Sequence, residues 1–231
     1  MKPIKFFFTI LSIYFLMLSC SSTKQTVIAV WSNKDKTVYG SNKSVFIMVL
    51  TANVQARNEL ESALKQAAIE RGLKVTTSID ALGPMNVGKN FPAEAILNKV
   101  KELNYETIFT VAVKDIKKET TFVQASDNFY NPMGMYGGAY GSFGSYYNNY
   151  WAYPGASFGF GGGFTSSYTT EKVTIYLESN LYETATQDLL LSIKSKAINP
   201  ANLAKESKKF TSNIVAELNE GKKMYSIKQI Y

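Results

Sequence analysis

The chain has 231 residues, 25 Lys and Arg against 18 Asp and Glu, no histidine and a single cysteine. Without histidine there is no Ser–His–Asp or Cys–His nucleophilic site and no His-ligated metal site. One cysteine cannot close a disulfide within the chain.

The chain begins with Lys2 and Lys5, followed by an apolar run, Phe6–Leu18, interrupted only by Thr9 and Ser12. The run falls short of the roughly 20 residues of a spanning helix and fits a secretory signal h-region. Ser19 and Cys20 follow directly. Leu16-Met17-Leu18-Ser19-Cys20 resembles the lipobox of bacterial lipoproteins, with Met17 where the family usually has Leu. The resemblance implies cleavage before Cys20 and lipidation (palmitate-type acyl chains) on Cys20. Each buried acyl CH₂ contributes about 0.8 kcal/mol, so several chains on one residue hold a protein on a bilayer. Ser21, rather than Asp, implies the outer membrane, and no acidic cluster follows that would tag the protein for surface export. A lipid-anchored protein on the periplasmic face is the expected address.

Residues 20–43 read as the lipidated N-terminus and a linker, with Thr26–Trp31 able to form a strand and Thr37–Tyr39 another short piece. Val45–Leu50 is a continuous apolar run, as in a strand buried on both faces. Leu60, Leu64, Ala67, Ala68 and Arg71 recur at helical spacing, and Gly72 sits where a left-handed cap belongs. Leu73–Ile79 reads as the next strand, residues 82–90 as a loop, and Pro92–Leu103 as a helix with Ile96, Val100 and Leu103 buried. Thr107–Val113 is another apolar strand. At Ile116 the pattern changes, and Thr120–Gln124 is expected to start a separate strand.

Asn128–Thr170 holds 10 of the 15 glycines and 14 of the 31 aromatics, and no Lys, Arg, Asp, Glu, Leu, Ile or Val. This composition predicts a low-complexity insertion rather than core. It suits a loop, a self-associating segment or, least well, a membrane hairpin that would lack aliphatic side chains for its lipid-facing band. Gly159–Gly163 lacks the spacing and context of a phosphate loop. Beyond the insertion, Lys172–Leu181 alternates with Val173, Ile175 and Leu177 on one face, and Leu189–Ala197 forms the next strand with Leu189, Leu191 and Ile193 inward. Asn199 and Pro200 are read as the start of a helix with Leu203, Phe210, Ile214, Val215 and Leu218 on one stripe and Gly221 as its close. Residues 221–231 are read as a tail.

The expected fold class is α/β. It consists of a mixed sheet with a β-α-β-α-β core, an antiparallel meander and a C-terminal helix, in one domain over 44–220 that follows the signal peptide, residues 1–19. SVFIMVL, NELESALKQAAIERGLKV, NYETIFTVAV and EKVTIYLESNLYETATQDLLLSIKSKA carry a resemblance to small bacterial lipoproteins of unknown function with an anticodon-binding-domain-like core. The periplasmic domain of the curli-secretion channel lipoprotein is similar at greater distance. The resemblance implies a non-enzymatic envelope lipoprotein acting as a binding or assembly module, or a subunit of an oligomeric envelope secretion or pore assembly. It supplies no catalytic residue, cofactor or metal.

Glu59, Glu61, Glu70, Glu94 and Glu102 read as exposed helix charges rather than a catalytic carboxylate pair. The lysine excess lies in residues 194–231, with eight lysines against Glu206, Glu217 and Glu220. It is read as a solvated helix face or a contact for anionic envelope material; nucleic acid is not an expected partner. The membrane, through the anchor, is the expected partner, with envelope proteins or self-association through residues 128–170 beside it.

Overall fold

A computed structural model describes residues 24–33, 43–84, 91–120, 142–152, 171–200 and 202–228. The fold is the expected mixed α/β arrangement around one six-stranded sheet, ordered β1-β6-β5-β4-β2-β3. The strands are β1 (Lys24–Ser32), β2 (Ser44–Leu50), β3 (Lys74–Thr77), β4 (Thr107–Thr120), β5 (Glu171–Glu183) and β6 (Leu189–Ile198). Among the described residues five helices accompany them: α1 (Val54–Ile69), α2 (Ser78–Leu82), α3 (Ala93–Glu102), α4 (Phe143–Ala152) and α5 (Leu203–Lys228).

β2 pairs in parallel with both β3 and β4, while β4, β5, β6 and β1 form an antiparallel run. All seven residues of β2 are buried, because helices cover both of its faces. Val45, Ile47 and Val49 point into a cluster with Leu60 and Leu64 of α1 and Phe210 and Ile214 of α5. Phe46, Met48 and Leu50 point into a second cluster with Ile96, Leu97 and Val100 of α3. Fully burying one such side chain contributes about 1.5–3 kcal/mol, so this central strand anchors both layers.

Local chemistry sets the helix ends. The Asn53 side chain accepts from the Ala56 N–H at 2.9 Å and starts α1. After α1, Gly72 takes a left-handed φ of 73°. Arg71 is exposed rather than part of the buried stripe, and its Nη2 donates to Asn219 Oδ1 of α5 at 2.8 Å.

Several expectations change. β4 is one strand of 14 residues, not two, because a bulge at Lys114 inserts one extra residue between Val113 and Asp115. The bulge shifts the alternation, so Val111, Val113 and then Ile116 meet the same cluster, and a strict period of two breaks there. A second irregularity, between Leu181 and Tyr182, puts Leu190 rather than Leu189 into the first cluster. The strand after α1 stops at Thr77, whose hydroxyl accepts from the Asp80 N–H and caps α2. Finally, Asn199 is not a helix cap: its side chain accepts from the Val173 N–H at 2.8 Å, as an extension of the sheet. Asn202 caps α5 through the Lys205 N–H, and α5 runs through Gly221 to Lys228, where a tail was expected. The short strand expected at Thr37–Tyr39 lies outside the described residues, as does all of the strand expected at Thr120–Gln124 except Thr120, the last residue of β4.

α4 is the largest departure. It lies inside the glycine- and aromatic-rich stretch that the composition assigns to an insertion. Phe143, Tyr146, Tyr147 and Tyr150 are buried in the second cluster, against α3 and the β2–β4 face. Their spacing, 143, 146, 147, 150, is that of one helix face, carried by aromatics instead of aliphatics. Edge-to-face contacts order the group: Phe143 with Tyr182 at 5.9 Å and Tyr150 with Trp151 at 5.0 Å between centroids.

Candidate functional site

In open α/β sheets, ligands bind at the carboxyl ends of parallel strands, where successive helices leave on opposite faces. Here that point is the end of β2, since α1 and α3 cover opposite faces of the sheet. The protein fills it with its own side chains. The Tyr150 hydroxyl donates to the Leu50 carbonyl at 2.6 Å. Tyr147 is buried beside it, and burial pushes its hydroxyl pKa up to about 12. Arg57, from the first turn of α1, is only 1% exposed and donates through Nη2 to the Gly83 carbonyl at 2.8 Å.

One turn along α1, Glu61 is also only 1% exposed, which corrects its reading as a surface charge. Its Oε1 accepts from the Val49 N–H at 2.9 Å and the Ser78 hydroxyl at 2.5 Å, and its Oε2 from the Ile79 N–H at 3.0 Å. Burial raises its pKa above the ordinary carboxylate value, while these three hydrogen bonds and the charge of Arg57 oppose the rise. The carboxylate therefore ties β2, the end of β3 and α2 together. Its acceptor capacity is committed to the fold, and it is not poised to move a proton on a substrate. Glu70, Glu94 and Glu102 are exposed, and Glu59 is half-buried. Among the described residues no three His, Cys, Asp or Glu side chains converge as metal ligands would.

A second polar group lies on the sheet face that carries α4. Glu178 and Lys194 are register partners across β5 and β6, and both are buried. Burial lowers the Lys194 pKa; Glu178 opposes this and Lys114 adds to it. Asn180 Nδ2 donates to Glu178 Oε1 at 3.0 Å and to the Tyr182 hydroxyl at 3.2 Å, and Lys114 lies over the Tyr146 ring at 5.5 Å. By alternation, these strand positions read as solvent-facing, and nothing local in the sequence marks them as a buried network.

Cys20, the one site residue expected from the sequence, lies outside the described residues. Only Ser21–Thr23 separate it from Lys24, the first residue of β1. Four residues of chain reach at most about 14 Å. Lys24 shares a cross-strand row with Ile198, Thr174 and Lys117. Three residues further along β4, Thr120 pairs with Glu171. The ends of the glycine- and aromatic-rich connection therefore leave the sheet at the same end as Lys24. At that end Gln25 Nε2 donates to Glu206 Oε2 at 2.5 Å and ties β1 to the first turn of α5. Among the described residues no helix is long and apolar enough to cross a membrane.

No protein-family model matches the chain, and no curated protein matches it. Among solved structures it is similar to the PelC dodecamer from Paraburkholderia phytofirmans, with 11% identity over 84% of this chain and 97% of that one and a TM-score of 0.42. A PelC L103M dodecamer from the same organism matches with 9% identity over 86% and 98% and the same TM-score, 0.42. Lipoprotein GNA1162 from Neisseria meningitidis matches with 8% identity over 77% of this chain and 98% of that one, at a TM-score of 0.39. The chain is distantly similar to these proteins.

Proposed function

We propose that the protein is a non-enzymatic lipoprotein of the cell envelope. In this reading acyl chains on Cys20 hold it on the outer membrane, on the periplasmic face, and its α/β domain is a binding or assembly module of the kind found in lipoproteins with an anticodon-binding-like core. The observation that carries the reading is the placement of the only cysteine. Only Ser19 separates it from a 13-residue apolar run, Phe6–Leu18, and only Ser21–Thr23 separate it from the start of the sheet at Lys24. The absence of histidine and the commitment of Glu61 to backbone and hydroxyl donors support a non-catalytic role. Cys20→Ala moves the protein from the membrane to the soluble fraction and abolishes incorporation of labelled palmitate. Retention of the variant in the membrane fraction discards the reading.

A second reading is a subunit of an oligomeric envelope assembly. It is favoured by β1, which among the described residues is an edge strand paired only with β6 and exposes Ile28, Val30 and Trp31. Partner proteins, or self-association through residues 128–170, belong to the same reading.

A further inference from the structure

We propose that the anchor end of the sheet is a docking surface for the phosphate-bearing headgroups of anionic lipids, so that the domain lies on the bilayer in a fixed orientation. The inference rests on acylation of Cys20 and adds to it a specific lipid chemistry and a specific face. The three-residue leash Ser21–Thr23 keeps Lys24 within about 14 Å of the acylated residue. At that range the charges around Lys24 lie close to the roughly 10 Å over which a surface potential decays.

Those charges are mostly positive. Lys24 and Lys117 occupy one cross-strand row, and Lys196 stands two residues from that row on the same face, in register with Tyr176 and Thr26. The Lys117 ammonium lies over the Tyr176 ring at 5.7 Å, which holds one cation of the group in place. Lys118, next in β4, is exposed. Lys172 is paired with Glu119 at 2.9 Å, and Asp115 stands in the cross-strand row of Tyr176 and Lys196. Glu206, at the start of α5, is buried and bonded to Gln25, whereas Lys205 and Lys208 beside it are exposed. Lys24, Lys118, Lys205 and Lys208 are thus exposed around the anchor, Lys117 and Lys196 are half-buried, and part of the acidic charge is engaged within the fold. Each lysine held at an anionic surface favours the docked state by about fivefold.

Because Cys20 is the only cysteine and acylation blocks it, an engineered cysteine is a unique labelling site. The full acylated protein carrying Thr26→Cys, at the anchor end, or Glu70→Cys, at the far end of α1, is labelled with a fluorophore. Each is reconstituted into vesicles of phosphatidylcholine alone or of phosphatidylcholine with phosphatidylglycerol, both containing a headgroup spin-labelled quencher lipid. We expect position 26 to be quenched at least twofold more than position 70 in phosphatidylglycerol vesicles. That ratio should fall toward its phosphatidylcholine value in high salt and in the Lys24→Gln, Lys118→Gln, Lys196→Gln triple variant, with the unfolding midpoint unchanged. A ratio independent of lipid charge, salt and these lysines overturns the docking surface and leaves the anchor intact. Protein that fails to co-float with phosphatidylcholine vesicles overturns the anchor itself, and the docking proposal with it.

Discussion

The Tyr150 hydroxyl, contributed by the glycine- and aromatic-rich stretch, donates a 2.6 Å hydrogen bond to the carbonyl of Leu50, the last residue of β2. One bond joins the least conventional part of the sequence to the most conventional strand of the sheet. It satisfies a carbonyl at the open end of a parallel strand, where a buried unpaired group costs about 1–3 kcal/mol. Tyr150→Phe therefore lowers stability by about 1–2 kcal/mol in chemical denaturation. Tyr150→Ala, which also empties a packed site, costs about 3–5 kcal/mol. Replacing residues 142–152 with a short polar turn strips the cover from Met48 and Leu50 and abolishes cooperative unfolding. A cooperative transition at an unchanged midpoint would show that the segment is only a loop.

Glu61 links stability to pH with a definite sign. Burial raises its folded pKa above the ordinary value of 4.5. The folded state then holds the proton to higher pH than the unfolded chain does. The contribution is fully present below pH 4.5 and is lost as pH rises through the folded value. Glu61→Gln removes that dependence and sets an amide NH₂ among the Val49, Ser78 and Ile79 donors, which costs about 1–3 kcal/mol. The stability gap between wild type and Glu61→Gln is thus widest in acid and narrows as pH rises above 4.5. Denaturation midpoints of both proteins across that range test this, and a gap that widens with pH contradicts the burial argument. Arg57→Ala leaves Glu61 without its neighbouring positive charge and the Gly83 carbonyl without its donor, at a cost of about 3 kcal/mol or more at neutral pH.

Two glycines with open space around them differ in backbone conformation. Neither Gly72 nor Gly83 would bring a Cβ within 4 Å of another atom, so any penalty comes from the backbone itself. Gly72 has φ 73° and sits in a left-handed cap position, where Ala costs about 1 kcal/mol. Gly83 pairs φ 78° with ψ −178°, a region almost confined to glycine, while its carbonyl receives Arg57. Gly83→Ala is expected to cost about 1–3 kcal/mol. Equal midpoints for the two variants would mean that the turn after α2 relaxes freely.

How much of this was legible in the sequence depends on which signal each element carries. Aliphatic runs mark strands buried on both sides, so β2 and the first half of β4 stand out. Pro92 and the Ile96–Val100 spacing mark α3 as plainly. The bulge at Lys114 hides the continuity of β4, because one inserted residue reverses the alternation. The α4 helix carries its buried face on Phe143, Tyr146, Tyr147 and Tyr150, with Gly144, Ser145, Asn148 and Asn149 between them. A test for aliphatic content misses it, although the three- and four-residue spacing is present. Glu61 reads as one of several helix glutamates because nothing local shows that Val49, Ser78 and Ile79 will converge on it. Tertiary packing decides that position, and a carboxylate in the sequence does not reveal whether its hydrogen-bond donors come from water or from the fold.

The β1 edge separates the tethered module from the oligomer subunit. β1 has nine residues, no proline and one charged side chain, Lys24 at its start. Its pairing with β6 is broken once, between Val27 and Ala29. Natural edges are blunted by lysines, prolines and bulges, and here a bulge is present while Ile28, Val30 and Trp31 stay exposed at 37%, 45% and 36%. If copies of the chain associate through this edge, the acylated protein in detergent sediments above monomer mass. Val30→Lys then returns it to the monomer, with a change in unfolding free energy of at most about 0.5 kcal/mol, as for a surface substitution. If Cys20 carries the proposed acyl chains, two anchors add a geometric condition. Antiparallel pairing of β1 with its own copy puts the two Lys24 residues at opposite ends of the joint, about 30 Å apart at 3.4 Å per residue. Both Cys20 anchors cannot then enter one bilayer with the sheets upright. An upright oligomer must therefore join β1 to a different surface of its neighbour, as a ring does. A cross-link that forms between Val30→Cys copies counts against that arrangement, and one between Val30→Cys and a site on another face supports it.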